Sequence, residues 1–127
     1  MSKDDPLAWM AKANNDLLCN KNYLVASEVP WDAVVFRAPQ AAEKALKAFL
    51  VSRGIRITYT HDVGRLLDDC IAAGAALSAF SEECDWLTAY AVQFRYPGDF
   101  PDVGRTDAEK AVAAANRIHN AVSELLG

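Results

Sequence analysis

The 127-residue sequence has no apolar run close to the roughly 20 residues that a helix needs to span a bilayer. It begins Met-Ser-Lys-Asp-Asp, which is acidic where a secretory signal peptide is basic. We therefore expect no membrane-spanning segment and no export signal. These two absences predict a cytoplasmic protein.

Residues that bind metals or carry redox chemistry are scarce. The chain has two histidines and three cysteines, and Cys19, Cys70 and Cys84 show none of the short spacings that bind zinc or form a redox pair. We interpret the cysteines as small thiols in the core or on the surface. The sequence predicts no metal site and no cofactor.

An overall positive charge is also lacking, since 13 basic residues face 17 acidic ones and the net charge is -4. This balance argues against nucleic-acid binding through bulk electrostatics. The charges are nevertheless uneven: residues 37–65 hold six Lys or Arg against two acids, and residues 66–109 hold nine acids against two Arg. The basic stretch is either a local anion site or a solvated helix face.

The hydrophobic content of 52% is enough for a packed core, and its spacing is helical. We predict a single domain over residues 1–127. Five helices are expected, over residues 5–22, 30–54 and 62–73, from 81 to before Pro97, and from 106 onward. Short connections between long amphipathic helices favour an all-α fold, an antiparallel four-helix up-and-down bundle with one short extra helix.

Local signals set the expected helix ends. Gly54 and Gly74 can take the positive φ that closes a last turn. Ser81 is the expected cap of the fourth helix. Thr106 and Glu109 have the spacing of a capping box at the start of the last one.

The second predicted helix contains an internal proline, Pro39. Proline removes one backbone hydrogen bond and clashes with the carbonyl four residues earlier. We therefore predict a kink near Val35.

The stretch from Phe36 to Leu50 reads FRAPQAAEKALKAFL, and it resembles the characteristic second helix of HEPN domains. Three further landmarks occur in the family's order: Ala13 with Asp16-Leu17, Thr60-His61-Asp62, and Arg95-Tyr96-Pro97. Together they span nearly the whole chain. Pro39 departs from the family, because it stands where relatives usually have the first of two glutamines.

The resemblance implies a helical bundle that works alongside a minimal nucleotidyltransferase and engages a nucleotide or RNA. In this interpretation Lys44, Lys47 and Arg95 present cations to a phosphate, and Tyr96 offers a face for stacking a base. The full set of candidate ligand-binding residues is Gln40, Glu43, Lys44, Lys47, His61, Arg95 and Tyr96.

Each candidate also has a purely structural interpretation. Glu43 and Lys47 have the spacing of a surface ion pair along one helix. His61 can help to cap the third helix. Arg95 suits the negative end of a helix dipole, and Tyr96-Pro97 is a natural helix stop.

Some HEPN proteins are metal-independent ribonucleases that carry Arg, then four to six residues, then His on a late helix. No histidine follows Arg95 at that spacing. Arg56 and His61 fit it formally, but they lie in a predicted loop, and His119 is expected to be a half-buried packing residue. This pattern favours a non-catalytic protein over an enzyme.

Three functions therefore remain open. The first is a HEPN-type binding or regulatory module associated with a nucleotidyltransferase, in a setting that includes toxin-antitoxin pairs. The alternatives are a metal-independent endoribonuclease toxin and a non-catalytic dimeric bundle. We expect a homodimer, because Trp9, Trp31, Trp86 and many alanines offer more apolar surface than one small core needs.

Overall fold

The computed structural model describes residues 3–57, 59–93 and 103–127. Its elements are α1 (Pro6–Leu24), α2 (Trp31–Ser52), α3 (Val63–Ala72), a 3-10 turn (Ser78–Phe80), α4 (Ser81–Thr88), a π-helical segment (Ala89–Gln93) and α5 (Arg105–Leu126). The described ranges contain no strand. The predicted all-α fold is confirmed. No helix in these ranges is long and apolar enough to cross a membrane.

Three helix ends are formed by local residues that favour them. The Asp5 carboxylate accepts a hydrogen bond from the Leu7 amide at 2.9 Å, and Pro6 is the first residue of α1. Gly54 and Gly74 have φ angles of 70° and 97°, which residues with a Cβ atom rarely adopt. The amides of Ile55 and Ala75 reach back across these glycines to carbonyls five residues earlier. Both glycines therefore end their helices as expected.

Two predicted caps are wrong. Ser81 is already the first helical residue of α4, because the preceding 3-10 turn leads directly into that helix. The last helix begins at Arg105, so Thr106 is inside it and does not pair with Glu109. Instead, Asp107 accepts a hydrogen bond from the Gly104 amide at 3.3 Å. The extended backbone at Gly104 makes this residue the N-cap, two residues before the predicted cap. The acid three residues after the cap is therefore Asp107 and not Glu109.

Helix α2 lies at the centre of the bundle and packs against α1, α3 and α5. Most of its residues are buried, including Leu46 and Phe49. Several alanines share the buried side of α2, and small side chains allow neighbouring helices to approach closely. In α5, Ala111, Ala115, Ile118 and Val122 are buried at helical spacing. Leu125, which continues this spacing, is 38% exposed, whereas Leu126 packs partly buried against the core.

Pro39 is buried within α2, which is one uninterrupted helix from Trp31 to Ser52. Since proline has no amide hydrogen, the carbonyl of Val35 lacks its usual intrahelical donor. The bend near Val35 stays a prediction.

The start of α3 is held by α4 through Thr88. The Thr88 hydroxyl accepts hydrogen bonds from the amides of Val63 at 3.0 Å and Gly64 at 3.3 Å, and it donates to the Cys84 carbonyl at 2.8 Å. It thus satisfies two amides that have no partner within α3. This contact fixes the turn that leads from His61 into α3.

We expect Thr88→Val to lower the free energy of unfolding by about 1 to 2 kcal/mol, because two amides lose their acceptor while the side-chain volume is kept. Urea unfolding followed by circular dichroism measures the loss. Thr106→Val, at an exposed position of α5, is the matched control. Equal losses in the two variants would show that Thr88 does not cap α3.

Candidate functional site

A cavity of about 670 Å³ opens beside one face of α2. Phe36, Gln40, Glu43 and Lys47 recur there at steps of four, three and four residues, which places them on one side of the helix. The full lining is Trp9, Phe36, Gln40, Glu43, Lys44, Lys47, His61 and Ala91. Five of the seven candidate residues therefore line this space, which we call the first cavity.

Glu43 is the buried acid of the first cavity, with its side chain 8% exposed. One carboxylate oxygen, Oε1, accepts a hydrogen bond from Lys47 Nζ at 3.2 Å and lies 3.1 Å from His61 Nδ1. The predicted ion pair of Glu43 with Lys47 thus forms, but the prediction that it lies on the surface is wrong. It is buried because α2 is covered by its neighbours at this point.

His61 does not cap α3, contrary to one of our interpretations. The cap is Asp62, whose carboxylate accepts from the Arg65 amide at 3.0 Å. His61 turns instead towards Glu43, with its own side chain 65% exposed. This arrangement keeps the imidazole both at the mouth of the first cavity and in contact with a buried carboxylate.

Trp9 forms a wall of the first cavity that sequence reasoning did not assign to a site. Lys47 Nζ lies 5.5 Å from the centroid of its ring, within the range of a cation–π contact. The indole nitrogen donates to the Lys3 carbonyl at 2.7 Å. The ring is therefore held from two directions. The only sequence signal was an aromatic residue on α1, which apolar packing explains equally well.

Lys44 is tied to α1 through Asp16. Its Nζ lies 2.7 Å from one carboxylate oxygen of Asp16, and Arg37 Nη1 lies 3.0 Å from the other. Asp16 is 5% exposed, so a buried carboxylate joins two cations of α2 to α1. Asp16, one of the landmarks of the sequence, thus joins α1 to α2. It also fixes the stem of Lys44 beside the first cavity.

Gln40 is exposed, and its amide donates to the Phe36 carbonyl of its own helix at a long 3.4 Å. Arg95 and Tyr96 lie outside the described residues. Among the residues that line the first cavity, Lys44 and Lys47 against Glu43 leave a net charge of +1 before any protonation of His61. The site therefore favours an anion on a protein whose total charge is negative.

A second cavity of about 410 Å³ shares Trp9 and Lys47 with the first. Arg56 and Tyr59 line this second cavity, whereas His61 lines the first. Arg56 and His61, which have the spacing of the ribonuclease motif, thus line two neighbouring cavities.

His119 lies in a third place, a groove between α1 and α5. Burial lowers its pKa, so the imidazole is neutral at neutral pH. His119 is half-buried, as expected, and its role as a packing residue stays a prediction. No group of three His, Cys, Asp or Glu side chains that could hold a metal ion occurs in the described part of the chain.

The HEPN domain family matches the chain over residues 7–125. The crystal structure of TT1696 from Thermus thermophilus is similar to it with a TM-score of 0.81 and 27% sequence identity, over 94% of this chain and 96% of that one. No curated protein gives a significant match.

Proposed function

Since this chain belongs to the HEPN domain family, we propose that it is a binding or regulatory module that holds a phosphate-bearing ligand, a nucleotide or an RNA end, in the first cavity. One observation carries the proposal. Gln40, Glu43, Lys44, Lys47 and His61 surround a single space of about 670 Å³. That volume lies in the range of small-molecule sites, roughly 300 to 1,000 Å³.

The two ammonium groups have donors to spare for a phosphate. A lysine carries three N–H donors. Lys47 uses one on Glu43, and Lys44 uses one on Asp16. No other acceptor within the described residues takes up the rest. The carboxylates thus position the ammonium groups, and the remaining donors are available to ligand oxygens.

Of the two lysines, we expect Lys47 to contribute more to the binding free energy of an anion. Its side chain is 11% exposed, against 26% for Lys44, so its charge is less screened by water. The rings of Trp9 and Phe36 in the same lining offer apolar surface for a base.

We expect Lys47→Met to weaken the binding of ATP and of a 5′-phosphorylated RNA oligomer by about 2 kcal/mol, since a charge-assisted contact is lost while the stem still packs. Isothermal titration calorimetry measures the affinity. Lys12→Met, at an exposed position of α1, is the matched control and should bind as the parent does.

Lys44→Met is the second variant, because loss of Lys47 leaves the buried Glu43 with less compensation and lowers stability. Thermal unfolding shows whether each variant is folded. A parent protein that binds neither probe at millimolar concentration would show that the first cavity is not a phosphate site.

We propose further that the module acts together with a nucleotidyltransferase, as membership of the family suggests. If so, a minimal nucleotidyltransferase encoded in an adjacent reading frame, when co-expressed, should co-purify with this chain. An adjacent frame of unrelated function, or a nucleotidyltransferase that elutes separately, counts against this association.

One observation favours the endoribonuclease alternative. The 3.1 Å contact between His61 Nδ1 and Glu43 is the arrangement in which a carboxylate orients an imidazole for proton transfer. Incubation of the purified protein with a fluorescent RNA in EDTA tests it. Cleavage that His61→Ala abolishes would establish the enzyme, and intact RNA would leave the binding module as the function.

A further inference from the structure

The second cavity has the features of a ligand site, although neither the proposed function nor the family match assigns it one. It is lined by Lys3 and Arg56 together with the shared Lys47, against one acid, Asp4. Three cations and one acid leave +2 on a protein of net charge -4. Because Lys47 is already paired with Glu43 outside this lining, the positive charge particular to the second cavity comes from Lys3 and Arg56 against Asp4.

One aromatic side chain of the second cavity hardly packs against the rest of the protein. Tyr59 is 99% exposed, although it lines the second cavity, and Ile55 of the same lining is 38% exposed. A tyrosine in that state gains almost nothing from folding, since its ring stays in water. A base stacked on it would bury ring surface that now contacts solvent.

Arg56 is also available. It is exposed and makes no ion pair within the described ranges, in contrast to Arg37 on Asp16 and Arg117 on Glu83. An arginine without a carboxylate partner keeps its planar set of donors for a phosphate.

The two cavities are neighbours with a common wall. Trp9 and Lys47 appear in both linings, and the Lys3 carbonyl that holds the Trp9 indole belongs to a residue of the second cavity. A ligand in either cavity would therefore lie against the same two side chains. To this shared wall the first cavity adds Lys44 and His61, and the second cavity adds Arg56 and Tyr59.

We propose that the second cavity binds the next nucleotide of a single-stranded chain whose first nucleotide lies in the first cavity. Arg56 contacts its phosphate and Tyr59 stacks on its base, and Lys47 lies between the two phosphates. This inference rests on the proposed function and narrows its ligand to an oligonucleotide. Duplexes are excluded as ligands because stacking on Tyr59 requires an unpaired base.

Calorimetry with AMP and with the 5′-phosphorylated dinucleotide pApA tests the inference. The parent should bind pApA about tenfold more tightly than AMP, as one stacked base and one phosphate contact are added. Tyr59→Ala and Arg56→Met should each remove most of that gain while binding AMP within about twofold of the parent. Both residues are exposed, so the variants should fold.

Arg65→Met, an exposed arginine of α3 that lines neither cavity, is the matched control and should keep the full gain. Equal affinities for AMP and pApA, or a gain that survives both substitutions, would overturn the second cavity and leave the proposed function standing. Failure of the parent to bind either probe would overturn both. A Lys44→Met variant that loses AMP and pApA alike would support the assignment of the first nucleotide to the first cavity.

Discussion

At about pH 8, we expect native protein treated with excess N-ethylmaleimide to take up one label per chain, at Cys19. Cys70 and Cys84 are fully buried, and burial raises the pKa of each thiol from its ordinary value of 9.0 to about 12. A rise of that size lowers the thiolate fraction about a thousandfold at this pH, and the thiolate is the reactive form. Cys19 lies only partly buried on α1.

Mass spectrometry of the intact chain and of its peptides measures the labelling. Protein unfolded in urea should take up three labels, and a Cys19→Ser variant should take up none while folded. Rapid labelling of Cys84 in the folded parent would contradict the buried packing of α3 on α4. It would show that this layer opens at low free-energy cost.

These two thiols illustrate what the sequence could predict. Their isolated spacing excludes a zinc or redox pair. The helical spacing of residues 62–73 also predicts that Cys70 is buried, as it is, but the residues that cover it depend on how the helices pack. Cys70 donates to the Leu46 carbonyl of α2 at 3.4 Å, a contact between residues 24 positions apart. Patterns within one helix contain no information on such pairs. The helices themselves were predictable, because apolar periodicity and the glycines at 54 and 74 are local signals.

The wrong caps have a more local cause. Ser81 and Thr106 have side chains that suit a cap, yet each lies inside its helix. The preceding 3-10 turn decides the first case, and the extended backbone at Gly104 decides the second. A suitable side chain at one position therefore does not determine a helix start to within one or two residues, because the backbone before it also matters.

At the candidate site, the face of α2 was predictable and its surroundings were not. Gln40, Glu43, Lys44 and Lys47 follow from helical spacing and from the HEPN resemblance. Trp9 reaches the same cavity from α1, and the burial of the Glu43–Lys47 pair follows from the packing of several helices. The sequence of α2 alone predicts neither the position of Trp9 nor the burial of this ion pair.

The bridge from Asp16 to Arg37 and Lys44 carries the second large prediction. We expect Asp16→Asn to lower the free energy of unfolding by about 2 to 3 kcal/mol, because two cations lose a buried partner at once. Loss of one partner of a fully buried pair costs about 3 to 5 kcal/mol. The side chains of Arg37 and Lys44 are 33% and 26% exposed, so water recovers part of their solvation and the cost is lower.

Urea unfolding gives the free energies, and Asp68→Asn, at an exposed position of α3, is the control for loss of a carboxylate. A double-mutant cycle with Lys44→Met separates the pair from the rest of the bridge. Asp16→Asn should cost less in the Lys44→Met background than in the parent, since one of the two stranded cations is then absent. Equal costs in both backgrounds would show that Asp16 acts through Arg37 alone. A loss no greater than that of Asp68→Asn would show that apolar contacts hold α1 to α2 without help from the ion pairs.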